Sequence, residues 1–211
     1  MKTKIHINFP NLKFALHDHF SQHKKSYLIC IIFIVFGLIT GILTAIKFSH
    51  ALTVEHITDT ALVSFLKHET GWFAMLLSRV FSFLCVLALI FALGFNKWTA
   101  IISFFVLVYK AYLVGLNSLI LIILFSISGA INVLIVYLPC NLLVLFALLS
   151  ITAIIFKNCW YLARFRQNIL CNNFWAVNGS IIVFNCIIAL VAFILEIIFL
   201  PIFCSAFFLA F

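Results

Sequence analysis

In the stretch SFFVLVYKAYLVGLNSLI, Ser103 to Ile120, a single charged residue, Lys110, has a full helical turn of apolar neighbours on either side. A lysine brings one positive charge and three hydrogen-bond donors, so it can hold a carboxylate, a phosphate or a carbonyl. It lies about 11 residues into a long apolar run, roughly 16 Å at helical rise, near the middle of a hydrocarbon core about 30 Å thick. At that depth a lysine costs about 2.5–3.5 kcal/mol on insertion scales, so it is expected to face other helices or a wet cavity. Asn117 follows seven residues later on the same face. Asn141 reaches a similar depth in the next apolar run. Pro139, two residues before it, removes a helical hydrogen bond and leaves the carbonyl of Ile135 in need of a partner. Lys110, Asn117, Asn141 and the carbonyl freed by Pro139 therefore suit one polar cluster at mid-membrane. The other arrangement open to Lys110 is to snorkel along its stem toward the polar turn GFNKW, Gly94 to Trp98.

A second pair carries opposite charges. Arg79 stands about 10 Å below one edge of its run, and Glu196 lies within about two turns of the same edge of the last run. Glu196 is the one acid inside any apolar run. Matching depth and opposite charge make an ion pair the expected arrangement; a neutral, protonated Glu196 close to the interface is the alternative. The histidines gather elsewhere, as His17, His19 and His23 in the leader and His56 near Glu55 and Asp59. His19 and His23 are four apart, but no third ligand is placed by sequence, so solvated polar faces are expected and no metal site. The cysteines are odd in number, seven, and Cys30, Cys85, Cys140 and Cys186 fall inside apolar runs with no CxxC spacing. They read as small apolar side chains, not as a disulfide framework. HExxH, GxSxG and Walker A motifs are absent, no nucleophile–base pair can be named, and no cofactor motif occurs.

These side chains need elements to hold them, and composition says which. Hydrophobic residues make up 66% of the 211 and charged residues 9%, too few polar groups to clothe a soluble domain. Mean hydropathy is +1.30, and the apolar runs repeat at or beyond the roughly 18–20 residues that cross a bilayer. The fold class is all-α: a polytopic transmembrane helical bundle with about five spans and two amphipathic interfacial helices. An outer-membrane barrel would show short alternating segments instead. The spans are expected at 27–46, 73–95, 99–125, 130–156 and 177–200. Residues 1–26 form a basic leader, too long and polar for the start of a cleaved signal peptide, and residues 27–211 the transmembrane domain. In the leader, Phe9, Leu12, Leu16 and Phe20 recur at helical spacing after Pro10, which predicts an interfacial helix. In the connecting segment 47–71, Val54, Ile57, Ala61, Leu62 and Phe65 form a similar stripe that Gly71 would end. The apolar tail after Pro201 either extends the fifth helix or lies in the interface.

Orientation follows from the basic residues. With the N-terminus inside, nine Lys/Arg residues fall in cytoplasmic segments and two, Lys47 and Lys67, on the opposite side. The C-terminus is then extracytoplasmic, and the sequon at Asn178 is not expected to be glycosylated. The net charge of +8 flanks spans, so it speaks for the membrane surface and against nucleic acid. In GLITGILTA, Gly37, Gly41 and Ala45 lie four apart on one face, the small-xxx-small pattern of close helix contact. That face serves either packing within the chain or a homo-oligomer.

Several of these landmarks together resemble the stage II sporulation protein M-like family of multi-pass membrane proteins: the leader ending HKKSYL, the first span with GLITG, the outer segment, YKAYLVG, and LPCN. The resemblance covers residues 20–165 and maps a lysine before a VG step onto Lys110, Val114 and Gly115, and a Pro–x–Asn break onto Pro139 and Asn141. Ala111 stands where glycine is commoner in the family, and the fifth span resembles nothing beyond its position. The resemblance implies a non-enzymatic protein of the bacterial cytoplasmic membrane. Its implied role is a scaffold for envelope membrane proteins and cell-wall hydrolases. A charge beside a broken helix is also how transporter sites are built, so the competing expectation is a permease-type subunit with its path past Lys110.

Overall fold

All five apolar runs fold as helices, because a chain in hydrocarbon must satisfy every backbone polar group within the segment. The computed structural model describes residues 12–47, 71–94, 97–165 and 173–208, with no strand among them. Helix α1 is Leu12–Lys47, α2 Trp72–Leu93, α3 Lys97–Asn132, α4 Leu138–Phe165 and α5 Asn173–Phe208. The stretches long and apolar enough to span are Lys24–Lys47, Trp72–Leu93, Trp98–Ile123, Gly129–Phe156 and Asn178–Phe199. The chain is a multi-pass integral membrane protein in contact with the lipid bilayer.

Three boundaries differ from expectation or settle it. The leader and first span form one helix from Leu12; Ser21 to Ser26 contain neither glycine nor proline, so nothing interrupts the backbone ladder. The fifth helix continues through Pro201 to Phe208, so the tail extends it as far as Phe208. The third and fourth spans meet in a turn inside α3, where Ser126 has φ 52° and ψ −126°. The outer amphipathic stripe at residues 54–65 lies outside the described residues.

The fourth span is the post around which the others stand. Ala147 through Ile155 are all buried, nine residues in a row, the signature of a helix covered on every side. Phe33 of α1 stacks on Phe104 of α3 at 5.6 Å, and Phe104 meets Phe156 of α4 edge-on at 4.8 Å. Helix α1 crosses α3 closely because both faces are small. A Cβ on Gly41 would strike the Tyr112 carbonyl and come 2.9 Å from the Leu116 nitrogen, and one on Gly115 would strike the Leu38 carbonyl. The stripe Gly37, Gly41 and Ala45 thus packs against the chain's own third span. At the other extreme, 11% of the second span is buried, against 56% of the fourth. Helix α2 stands at the rim.

Within the fourth span the helix widens into a π turn, Val133–Tyr137, in which the Leu138 N–H reaches back to the Val133 carbonyl. Pro139 follows one residue later. A wider turn relieves the clash of the proline ring with the preceding turn.

Candidate functional site

The rim helix brings its polar residues to the bundle. Ser78, Arg79 and Ser82 share one side of α2, and they face Lys110, Val114 and Asn117 of α3 across a cleft of about 250 Å³. Tyr137, Asn141, Val144, Leu145 and Leu148 form its back wall along the fourth span, and Phe193 of α5 closes one side. The periodicities explain this wall: residues 110, 114 and 117, and 137, 141, 144 and 148, recur at the three-and-four spacing of one helix face. Phe83 and Phe193 meet edge-on at 5.9 Å beside the cleft and fix the rim helix against the fifth.

Arg79 donates from Nη2 to Glu196 Oε1 at 2.7 Å. Asn141 Nδ2 approaches the same oxygen at 3.4 Å and donates to the Tyr137 carbonyl at 2.9 Å. The guanidinium is 13% exposed and the carboxylate 1%, so this is a buried, charge-assisted pair. Its desolvation cost is offset only because both partners are held in register. Lys110 Nζ donates to Ser82 Oγ at 2.9 Å. Ser82 is ten residues from the Trp72 end of its helix, about 15 Å at helical rise, so the lysine amine is held near the middle of that helix, across the gap from α2.

The two candidate sites of the sequence are one. Asn141, placed with Lys110 by depth, approaches the oxygen that Arg79 holds, and Lys110, Asn117, Asn141 and Arg79 line the same cleft. Pro139 does not join them: its side chain is exposed on the far side of the fourth span. Nor does Asn141 turn to the Ile135 carbonyl. It engages the carbonyl of Tyr137, one turn before it, while the π turn redistributes the bonds around the proline. Sequence reasoning missed Ser78, Ser82 and Tyr137. The signal for the serines was present, as two hydroxyls four apart flanking Arg79 in an otherwise apolar helix.

The site can bind. Two cations line the cleft and Glu196 neutralises one of them, which leaves one positive charge beside two amides and the hydroxyls of Ser78 and Ser82. Among the described residues no three His, Cys, Asp or Glu side chains gather as a metal site would require. No family model matches the chain, and neither does any curated protein or solved structure.

Proposed function

We propose that this membrane protein is a permease-type component whose cleft takes up an anionic solute at mid-membrane. The observation that supports this reading is the convergence of Arg79, Lys110, Asn117 and Asn141 on one cleft of about 250 Å³, with Glu196 paired to Arg79 beside it. Intramembrane charges are costly, and where they converge with spare volume between helices they mark solute paths. The widened turn at Val133–Tyr137 adds a second feature of such sites, a break in a spanning helix next to the polar group. The scaffold role implied by the stage II sporulation protein M-like resemblance would recruit partners through the spans and segment 47–71 and makes no use of a charged cleft. The N-terminus faces the cytoplasm in this proposal, from the nine-to-two basic bias.

Thermal unfolding of the purified chain in a neutral detergent tests the reading, with phosphate, acetate and glycerol 3-phosphate as probes. At least one should raise Tm in the wild type, since a ligand at about 100 Kd adds roughly 2.7 kcal/mol. Lys110→Met should abolish the rise. A flat Tm across the three anions, or a rise that survives Lys110→Met, removes the case for an anion cleft.

A further inference from the structure

The charged cleft does not end in protein. On the lipid side of Lys110 and Ser82 a second recess of about 630 Å³ runs between α2 and α3, floored by Val86 and Val106 and walled by Phe81, Leu89, Phe105 and Tyr109. Lys110 and Ser82 line both recesses. Their hydrogen bond is the point where the two meet.

The directions are opposite. From Ser82 the cleft runs back through Ser78 and Arg79 and, on α3, forward through Val114 and Asn117. The groove runs from Ser82 to Leu89 toward the Gly94 turn, about 10 Å of helix. One end of this path is cationic and the other is aromatic and aliphatic. All lipid-facing helix surface is covered by acyl chains, but this groove is set apart because its upper end opens onto Lys110, Arg79, Asn117 and Asn141.

We infer that cleft and groove together form a single binding site for an anionic phospholipid, with the headgroup phosphate beside Lys110 and one acyl chain in the groove. The inference rests on the reading of the cleft as an anion site and adds the class of ligand. Charge selects the headgroup: the cleft carries one net positive charge, which a phosphodiester with a neutral alcohol balances. Phosphatidylcholine has the same phosphate, but its quaternary ammonium would be brought against Arg79 and Lys110. A lysine amine is well suited to phosphate as a point charge, and the two amides can donate to phosphate or glycerol oxygens. Chain orientation is that of a lipid of the leaflet at the Trp72 end, with its phosphate drawn about 15 Å along the helix from that end, to the level of Ser82 and Lys110.

The test uses the full chain in neutral detergent, with binding read by native mass spectrometry. The probes are dioleoyl phosphatidylglycerol, dioleoyl phosphatidylcholine and glycerol 3-phosphate. Phosphatidylglycerol should bind at least tenfold more tightly than phosphatidylcholine, and Lys110→Met should remove the preference. Cys85→Trp, which fills the groove from an exposed position, should weaken phosphatidylglycerol several-fold and leave glycerol 3-phosphate unchanged. Because that side chain faces lipid, Cys85→Trp tests the groove even if Lys110→Met fails to accumulate. Equal binding of the two lipids, or phosphatidylglycerol binding unmoved by Cys85→Trp, overturns the inference. If glycerol 3-phosphate binds as tightly as phosphatidylglycerol, the anion cleft stands and the lipid site falls. If neither binds, both fall.

Discussion

Replacing Arg79 by methionine keeps most of the side chain's length and strands the carboxylate of Glu196, which is 1% exposed, without its cation. Breaking a buried pair from one side costs about 3–5 kcal/mol, because the remaining charge has lost its compensation. Glu196→Gln is the milder single change. Its amide oxygen still accepts from Arg79 and Asn141, and the 13% exposed guanidinium can lean into the cleft, so the loss is that of a hydrogen bond to a charged group, about 1.5–3 kcal/mol. The double variant holds no buried charge and retains a neutral acceptor for Asn141. It should therefore be no less stable than Arg79→Met alone, and the pair should show a coupling at least as large as the cost of Glu196→Gln, about 1.5 kcal/mol or more, well within the range for contacting residues. Reversible unfolding in mixed micelles, measured on the wild type, both singles and the double, closes the cycle. Losses that add within about 0.5 kcal/mol would mean that the two groups do not interact, and the ion pair would have to be abandoned.

The small-residue crossing makes a sharper contrast. Gly41→Ala forces backbone atoms of Tyr112 and Leu116 apart and should cost about 1–3 kcal/mol, whereas Gly71→Ala meets nothing within 4 Å and should lose only the smaller N-cap preference of glycine over alanine; equal melting of the two variants would dissolve the crossing. Ser126 sits at a positive φ that glycine tolerates far better, so Ser126→Gly should gain about 1 kcal/mol and Ser126→Val lose more than that; a destabilised Ser126→Gly speaks against the turn. For topology, a cysteine placed at Arg164 on a cysteine-free background should react only after the membrane is permeabilised, and labelling from outside intact cells reverses the assigned orientation.

Much of the fold was legible because the bilayer imposes it. Spans such as Trp98–Ile123 declare themselves by length and hydropathy alone. Shared levels were legible too, since counting 1.5 Å per residue matched Arg79 with Glu196, which pair, and Lys110 with Asn141, which line one cleft. Rotation about each helix axis and the order of neighbours were not, because apolar residues cover most of the circumference of every span and leave little to tell lipid-facing from buried sides. That is why the two polar groups were read apart until Asn141 and Arg79 were seen on one carboxylate oxygen. Ser82 was hidden for a different reason: a serine can bond to its own helix and raises no alarm in an apolar run. The Ile135 carbonyl was misjudged because a proline can be met by widening the turn ahead of it, a change of helix type that residue counting does not foresee.

The span that carries Arg79 is also the least buried, and its counter-ion lies 117 residues further along the chain. During synthesis the arginine therefore enters the membrane well before Glu196 exists, by roughly 6–23 s at translation rates of 5–20 residues per second. Through that interval the nascent chain holds a cation in the bilayer at a cost of about 2.5–3.5 kcal/mol on insertion scales, and the rim helix has little else to keep it in place. Completion of the fifth helix is then a latch: it delivers the acid, covers the central post and seats the rim in one step. A chain cut before residue 173 should be cleared by membrane proteases faster than the full-length protein in a pulse-chase, and the same cut in an Arg79→Leu background should survive longer.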